Sequence, residues 1–127
     1  MEFKDFKKTV ADRCKAAGAC SGEFAKLLAA EDFSQLCDVI ARNIGWAWQN
    51  SVVTVDELDL FGLELYQKYG IWHKGQLSHT VEAGEFNLTT LGSSVATVKT
   101  LGSSVATVKT LGSSVATVKT LGSSVAT

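Results

Sequence analysis

The stretch LGSSVATVKT, residues 91–100, recurs unchanged at 101–110 and 111–120, and a partial copy fills 121–127. Its reading decides the fold. As a helix the unit carries Leu91, Val95, Val98 and Leu101 at a mean spacing of about 3.3 residues, which drifts around a helix of ~3.6 residues per turn. Each unit also holds one Gly, two Val, two Thr and two Ser, at roughly 0.5–1 kcal/mol apiece against Ala. The helix loses on both counts. As a strand, the unit uses Gly92, Ser93 and Ser94 for a turn and the β-branched run from Val95 to Leu101 for a pleated surface. An unpaired ammonium stays out of a narrow apolar core, so Lys99 faces solvent. Period-two alternation then sends Ala96, Val98 and Thr100 inward, and Val95, Thr97, Lys99 and Leu101 outward or to the corner.

Identical strands pair with their copies at ~4.8 Å, giving ladders of like side chains. Ten residues hold only one strand and one corner, so each coil takes two units. The expectation is an α+β chain: a helical domain over 1–73, a connector over 74–86, and a small β-solenoid of ten-residue repeats over 87–127. The outward rows form the candidate interaction surface. They are Val95, Thr97 and Lys99, Val105, Thr107 and Lys109, and Val115, Thr117 and Lys119.

Charge divides the chain at the same place. All thirteen acidic residues and nine of the twelve basic ones precede Asn87, leaving −4 there against +3 from Lys99, Lys109 and Lys119. Neither balance is the strongly basic one that nucleic acid attracts, so no nucleic-acid partner is expected. With 127 residues the chain builds one modest core rather than two full domains. No apolar run approaches the ~20 residues that span a bilayer, and the opening MEFKDFKKTVADR carries charge where a signal peptide needs an unbroken apolar stretch. A cytoplasmic chain with no membrane partner is expected. Three cysteines, an odd number, fit reduced thiols better than a disulfide framework.

Four helices are expected in the N-terminal domain. Phe3, Phe6, Val10, Cys14 and Ala17 share one helical face, which Gly18 ends with a left-handed cap. Ser21 reads as the N-cap of a second helix burying Phe24, Leu27 and Leu28. Asp32 with Gln35 is a capping-box variant opening a third, with Phe33, Leu36, Cys37, Ile40 and Ile44 on one face. Thr54 with Glu57 is a full capping box for the last, where Leu58, Phe61, Leu65, Tyr66 and Tyr69 form the stripe and Gly70 supplies the stop.

The chemistry-bearing residues form no signature. Cys14, Cys20 and Cys37 with His73 have the residue types of a zinc site, but the first spacing is C-x5-C and lacks the C-x2-C knuckle. Cys14 or Cys37 served by His73 or His79 lacks any local motif for a nucleophile. Trp46, Trp48 and Trp72 have faces that stack on a sugar or base, although in so small a domain such rings close the core. Lys4, Lys7 and Lys8 alternate with Glu2 and Asp5 as a solvated helix face. No catalytic residue, cofactor or metal is expected, and the chain reads as a non-enzyme.

The segments CKAAGACSGEFAKLL, LCDVIARNIGWAWQN and KYGIWHKG, followed by Val-Ala-Thr-Val units, resemble the uncharacterised repeat proteins of gut bacteria and their mobile elements. In those a small helical head precedes a short-repeat β-solenoid. The resemblance implies architecture and carries over no active residue. Their units are more often shorter, with Asn or Asp at the turn, and the Gly-Ser-Ser unit departs from that. The identity of the copies fits a recent duplication, a truncated chain or an artificial sequence. Two functions of different class follow. One is a structural or protein-interaction role, with the head capping the solenoid and self-association through its C-terminal edge, the identity of any other protein partner being open. The alternative is a carbohydrate- or ice-binding module using threonines such as Thr97 and Thr100.

Overall fold

The structure, a computed structural model, describes residues 2–122 and 125–127, so Ser123 and Ser124 of the partial repeat lie outside the described residues. The chain divides into two compact units between Glu64 and Leu65.

The first unit is helical: α1 (Phe3–Ala16), α2 (Ser21–Ala29), α3 (Phe33–Arg42), α4 (Ile44–Gln49), α5 (Val55–Leu58) and a 3-10 turn at Asp59–Phe61. With α6 (Glu64–Tyr69), which runs into the second unit, the described residues form six α-helices where four were expected. Two residues make the difference. Asn43 leaves helical geometry at φ −119°, ψ 26°, and its carboxamide donates to the Val39 carbonyl at 2.9 Å, which separates α3 from α4. Gly62 takes φ +60°, ψ −138°, a conformation that side-chain-bearing residues avoid, and breaks the last expected helix.

The caps explain where the helices begin and stop. The Ala19 amide donates to the Cys14 carbonyl and the Gly18 amide to that of Lys15, with Gly18 at φ +77°. This is the Schellman arrangement, and it ends α1. Thr54 Oγ1 accepts from the Glu57 amide at 3.2 Å while Glu57 Oε1 accepts from the Thr54 amide at 2.9 Å, closing the capping box of α5. Asp32 accepts from the Gln35 amide, whereas Gln35 reaches back one residue further, to the Glu31 amide. Ser21 is the first helical residue of α2 rather than its cap; Cys20 holds the cap position without a side-chain bond.

The helices bury Phe6, Val10, Leu36, Cys37 and Leu58, at about 1.5–3 kcal/mol for each large apolar side chain. Phe6 lies against Phe61 with ring centroids 5.6 Å apart, and Phe3 meets Phe33 edge-on at 5.4 Å. Arg13 ties the first helix to the last turns, pairing with Glu57 and donating to the Val52 carbonyl.

The second unit holds β1 (Ile71–Trp72), β2 (Gln76–Val81), β3 (Glu85–Thr90), β4 (Val95–Thr100), β5 (Val105–Thr110), β6 (Val115–Thr120) and β7 (Val125–Ala126). All pairings are parallel and skip one strand, giving two sheets in the orders β1-β3-β5-β7 and β2-β4-β6. Within the repeats the offset is twenty residues, as in Val95↔Val115. It is nineteen in Gln76↔Val95 and eighteen in Ile71↔Thr89. Turn length accounts for the change, because three residues separate β1 from β2 and β2 from β3, whereas four separate the later strands. Residues 74–86, expected as a connector, therefore contain β2 and the start of β3.

Alternation sets the facing. Along β4, Ala96, Val98 and Thr100 are buried while Val95, Thr97 and Lys99 are exposed. Val81, Leu88, Ala96, Val98 and Ala106 form the core between the sheets, with Tyr66, Trp72, Leu77 and Phe86 packed against it. Aromatic packing is thus not confined to the helical residues. His79 stacks on Phe86 with centroids 4.0 Å apart and planes 14° from parallel, and Tyr66 meets Trp72 edge-on at 5.4 Å. Gly70, at φ +65°, is required where α6 turns into β1: a Cβ there would lie 2.2 Å from the Asn87 carbonyl oxygen.

Candidate interaction surface

The repeat turns carry Gly at positive φ, 63° at Gly92, 61° at Gly102 and 70° at Gly112, and the Ser94 and Ser104 amides close the first two by donating to the Leu91 and Leu101 carbonyls. The two serines differ in role. Ser93 and Ser103 are exposed, whereas Ser94 and Ser104 are 1% and 0% exposed. Ser94 Oγ lies 2.7 Å from the Leu91 carbonyl and 3.4 Å from that of Trp72. Ser104 Oγ lies 2.7 Å from the Leu101 carbonyl and 3.1 Å from that of Val81. Ser114 repeats the arrangement with Leu111 and Thr90. These three corners are thereby stitched to the ends of β1, β2 and β3 respectively, which explains why a polar side chain sits in a buried row. The sequence signal for this was present, in that only the second Ser immediately precedes each strand.

The nine outward residues do not form one surface. On β4 and β6, Val95 stands beside Val115, Thr97 beside Thr117 and Lys99 beside Lys119. Val105, Thr107 and Lys109 lie on the other sheet, beside Glu85, Asn87 and Thr89. The twenty-residue offset is the cause, since it sends alternate copies to alternate sheets. Thr97 and Thr100 are likewise separated, one outward and one buried.

Exposure rises copy by copy. Val98 and Thr100 are fully buried, but the equivalent Val118 is half-buried and Thr120 exposed. β6 is the last strand of its sheet. The Val115 and Leu121 amides donate back to the Ser94 and Thr100 carbonyls, so the alternate residues Ala116, Val118 and Thr120 turn their backbone groups toward the outer edge. On β5 the equivalent groups are used, the Thr127 amide donating to the Ala106 carbonyl at 2.8 Å and the Val108 amide to that of Thr127 at 2.7 Å.

The residues considered for chemistry are scattered. Cys14 and Cys37 are buried and Cys20 exposed, and burial pushes the Cys14 thiol above its ordinary pKa. His79 Nδ1 lies 2.9 Å from the Tyr66 hydroxyl, whose own pKa burial raises. Trp72 Nε1 donates to the Gly75 carbonyl, and Trp46 and Trp48 are half-buried in α4. Lys7 is drawn out of the basic group to donate to the Ala30 carbonyl at 2.8 Å. Among the described residues no group of three or more His, Cys, Asp or Glu lies together as metal ligands. Among them, too, no helix is long and apolar enough to cross a membrane. Comparison with family models, with curated proteins and with solved structures found no match.

Proposed function

We propose that the protein is a structural, protein-interaction repeat protein whose repeats wind as a thin β-solenoid and whose open edge joins a second copy of the chain. The observation that carries this is the outward row of backbone groups on Ala116, Val118 and Thr120 along β6, beside an inner row that is only half covered. A strand edge of this kind is a template for another strand. VATVKT is a suitable occupant, because β4 and β6 already pair two identical copies of it.

The same edge on two molecules gives a two-fold, antiparallel contact. Pairing edge-facing residues with one another puts Val118 opposite Val118 of the second copy and Ala116 opposite Thr120. Thr117 then stands opposite Lys119, so the two ammonium groups never meet directly. The inner faces stay on one side, and the half-covered Val118 rows become continuous. Repulsion remains between the Lys99 and Lys119 ladders, and salt screens it, since the Debye length falls from about 10 Å at 0.1 M to about 3 Å at 1 M.

Sedimentation velocity over a range of protein concentration, at low and high salt, tests the reading. Concentration-dependent dimers that strengthen with salt are expected. A monomer at every concentration and salt would remove the proposal.

A further inference from the structure

We propose that the helical unit binds a small aromatic amine in an apolar cavity between α1, α2, α3 and α4, with the Glu23 carboxylate taking the ammonium group. The cavity measures about 330 Å³. It lies at the small end of ligand pockets, which run from roughly 300 to 1,000 Å³. Its walls are apolar, from Val10, Phe24, Leu27 and Ile40 to the Trp46 ring. Helical interiors otherwise fill to crystal-like density, leaving few voids larger than a water molecule. An apolar cavity of about 150 Å³ takes up benzene, so this one admits a bicyclic ring with a short chain.

The polar groups on the wall choose the head group. Glu23 and Asn43 line the cavity together, and Glu23 Oε2 accepts from Asn43 Nδ2 at 3.0 Å. Asn43 is fixed in turn by its bond to the Val39 carbonyl, so the carboxylate is held by the residue that separates α3 from α4. Glu23 Oε1 meets Lys26 Nζ at 3.2 Å on the exposed side. The Asn43 bond first, and that from Lys26 second, keep the Glu23 carboxyl below its ordinary pKa, and it is an anion at neutral pH. A carboxylate has about four lone-pair sites, so these two bonds leave acceptor capacity for a third donor. An apolar cavity with one anionic group on its wall selects an apolar body with one cationic end.

Tryptamine is the probe, with its neutral analogue 3-(2-hydroxyethyl)indole beside it. Titration calorimetry on the full chain should give saturable tryptamine binding, with a Kd on the order of 100 µM for about twelve non-hydrogen atoms. Glu23→Gln should weaken tryptamine by about three- to tenfold and leave the alcohol within about twofold, because only the amine loses a charge-assisted bond. Ala47→Leu, which grows into the cavity from α4, should weaken both by about tenfold or more. If that variant loses its helical circular dichroism, Ala19→Phe fills the same space from the turn between α1 and α2. Absence of saturable binding to about 2 mM would overturn the proposal, as would binding that survives cavity filling. An equal loss of amine and alcohol in Glu23→Gln would overturn the assignment of the carboxylate.

Discussion

Ser104 Oγ lies 3.1 Å from the carbonyl oxygen of Val81, twenty-three positions earlier at the end of β2, the strand that β4 pairs with. The same hydroxyl bonds the Leu101 carbonyl of its own turn. A residue that reads in sequence as a turn-former is therefore a link from its own corner to the end of β2.

Replacing it separates the two serines. Ser104→Ala removes a buried hydroxyl whose carbonyl partners keep their backbone donors, at about 1 kcal/mol. Ser103→Ala, on the exposed side of the same turn, should stay within about 0.5 kcal/mol. Urea denaturation of the two variants checks this. Equal effects would contradict the distinction.

Gly70→Ala combines a positive φ with a Cβ placed 2.2 Å from the Asn87 carbonyl oxygen. The Gly70 carbonyl also accepts from the Thr89 amide at 2.8 Å, so displacement disturbs the pairing of the first strands. A loss of at least about 2 kcal/mol is expected from backbone strain and overlap. Gly84→Ala, where no atom lies within 4 Å of the added Cβ, isolates the positive-φ contribution and should lose roughly 1 kcal/mol. Thermal melting followed in the β-sheet signal orders the two.

Acid should loosen the helical unit through Glu57. Burial pushes its carboxyl up, but hydrogen bonds from Arg13 and Thr54, with the Arg13 charge, outweigh that and hold the pKa below its ordinary value. A depressed carboxyl contributes stability that is fully present above the unfolded pKa and is lost as pH falls through the folded one. The midpoint of the helical melt should therefore hold steady from pH 7 to about pH 5 and fall below about pH 4.3. Glu57→Gln should start lower and fall less. An acid profile identical to that of the parent would contradict this.

The strands of the repeats were legible in the sequence because Lys99 fixes the facing and Gly92 the turn. Strand β2 was not, because its inner row Leu77, His79, Val81 includes a polar residue that Phe86 and Tyr66 make acceptable inside. Its turns are also one residue shorter and lack the Gly-Ser-Ser signal. The helix breaks at Asn43 and Gly62 escaped a reading based on apolar spacing, since the stripe continues across both. The nine outward residues were legible individually. Their division between two sheets follows from the pairing offset, which a single unit does not contain.

Val118→Lys should keep the chain monomeric. It places a charge on the inner row at the open edge, where a long stem can still reach water, and strand pairing across the edge would have to bury it. Light scattering at high salt should show the parent associating and this variant not. Unchanged association would mean that another surface is responsible.

Residue-resolved amide hydrogen exchange on β6, at low and high protein concentration, tests the edge contact most directly. The account predicts that the outward Ala116, Val118 and Thr120 amides exchange freely when dilute and become protected as concentration rises, while the inward Val115 amide, bonded to the Ser94 carbonyl, is protected throughout. Association that leaves Ala116, Val118 and Thr120 as exchangeable as in the dilute protein would contradict it.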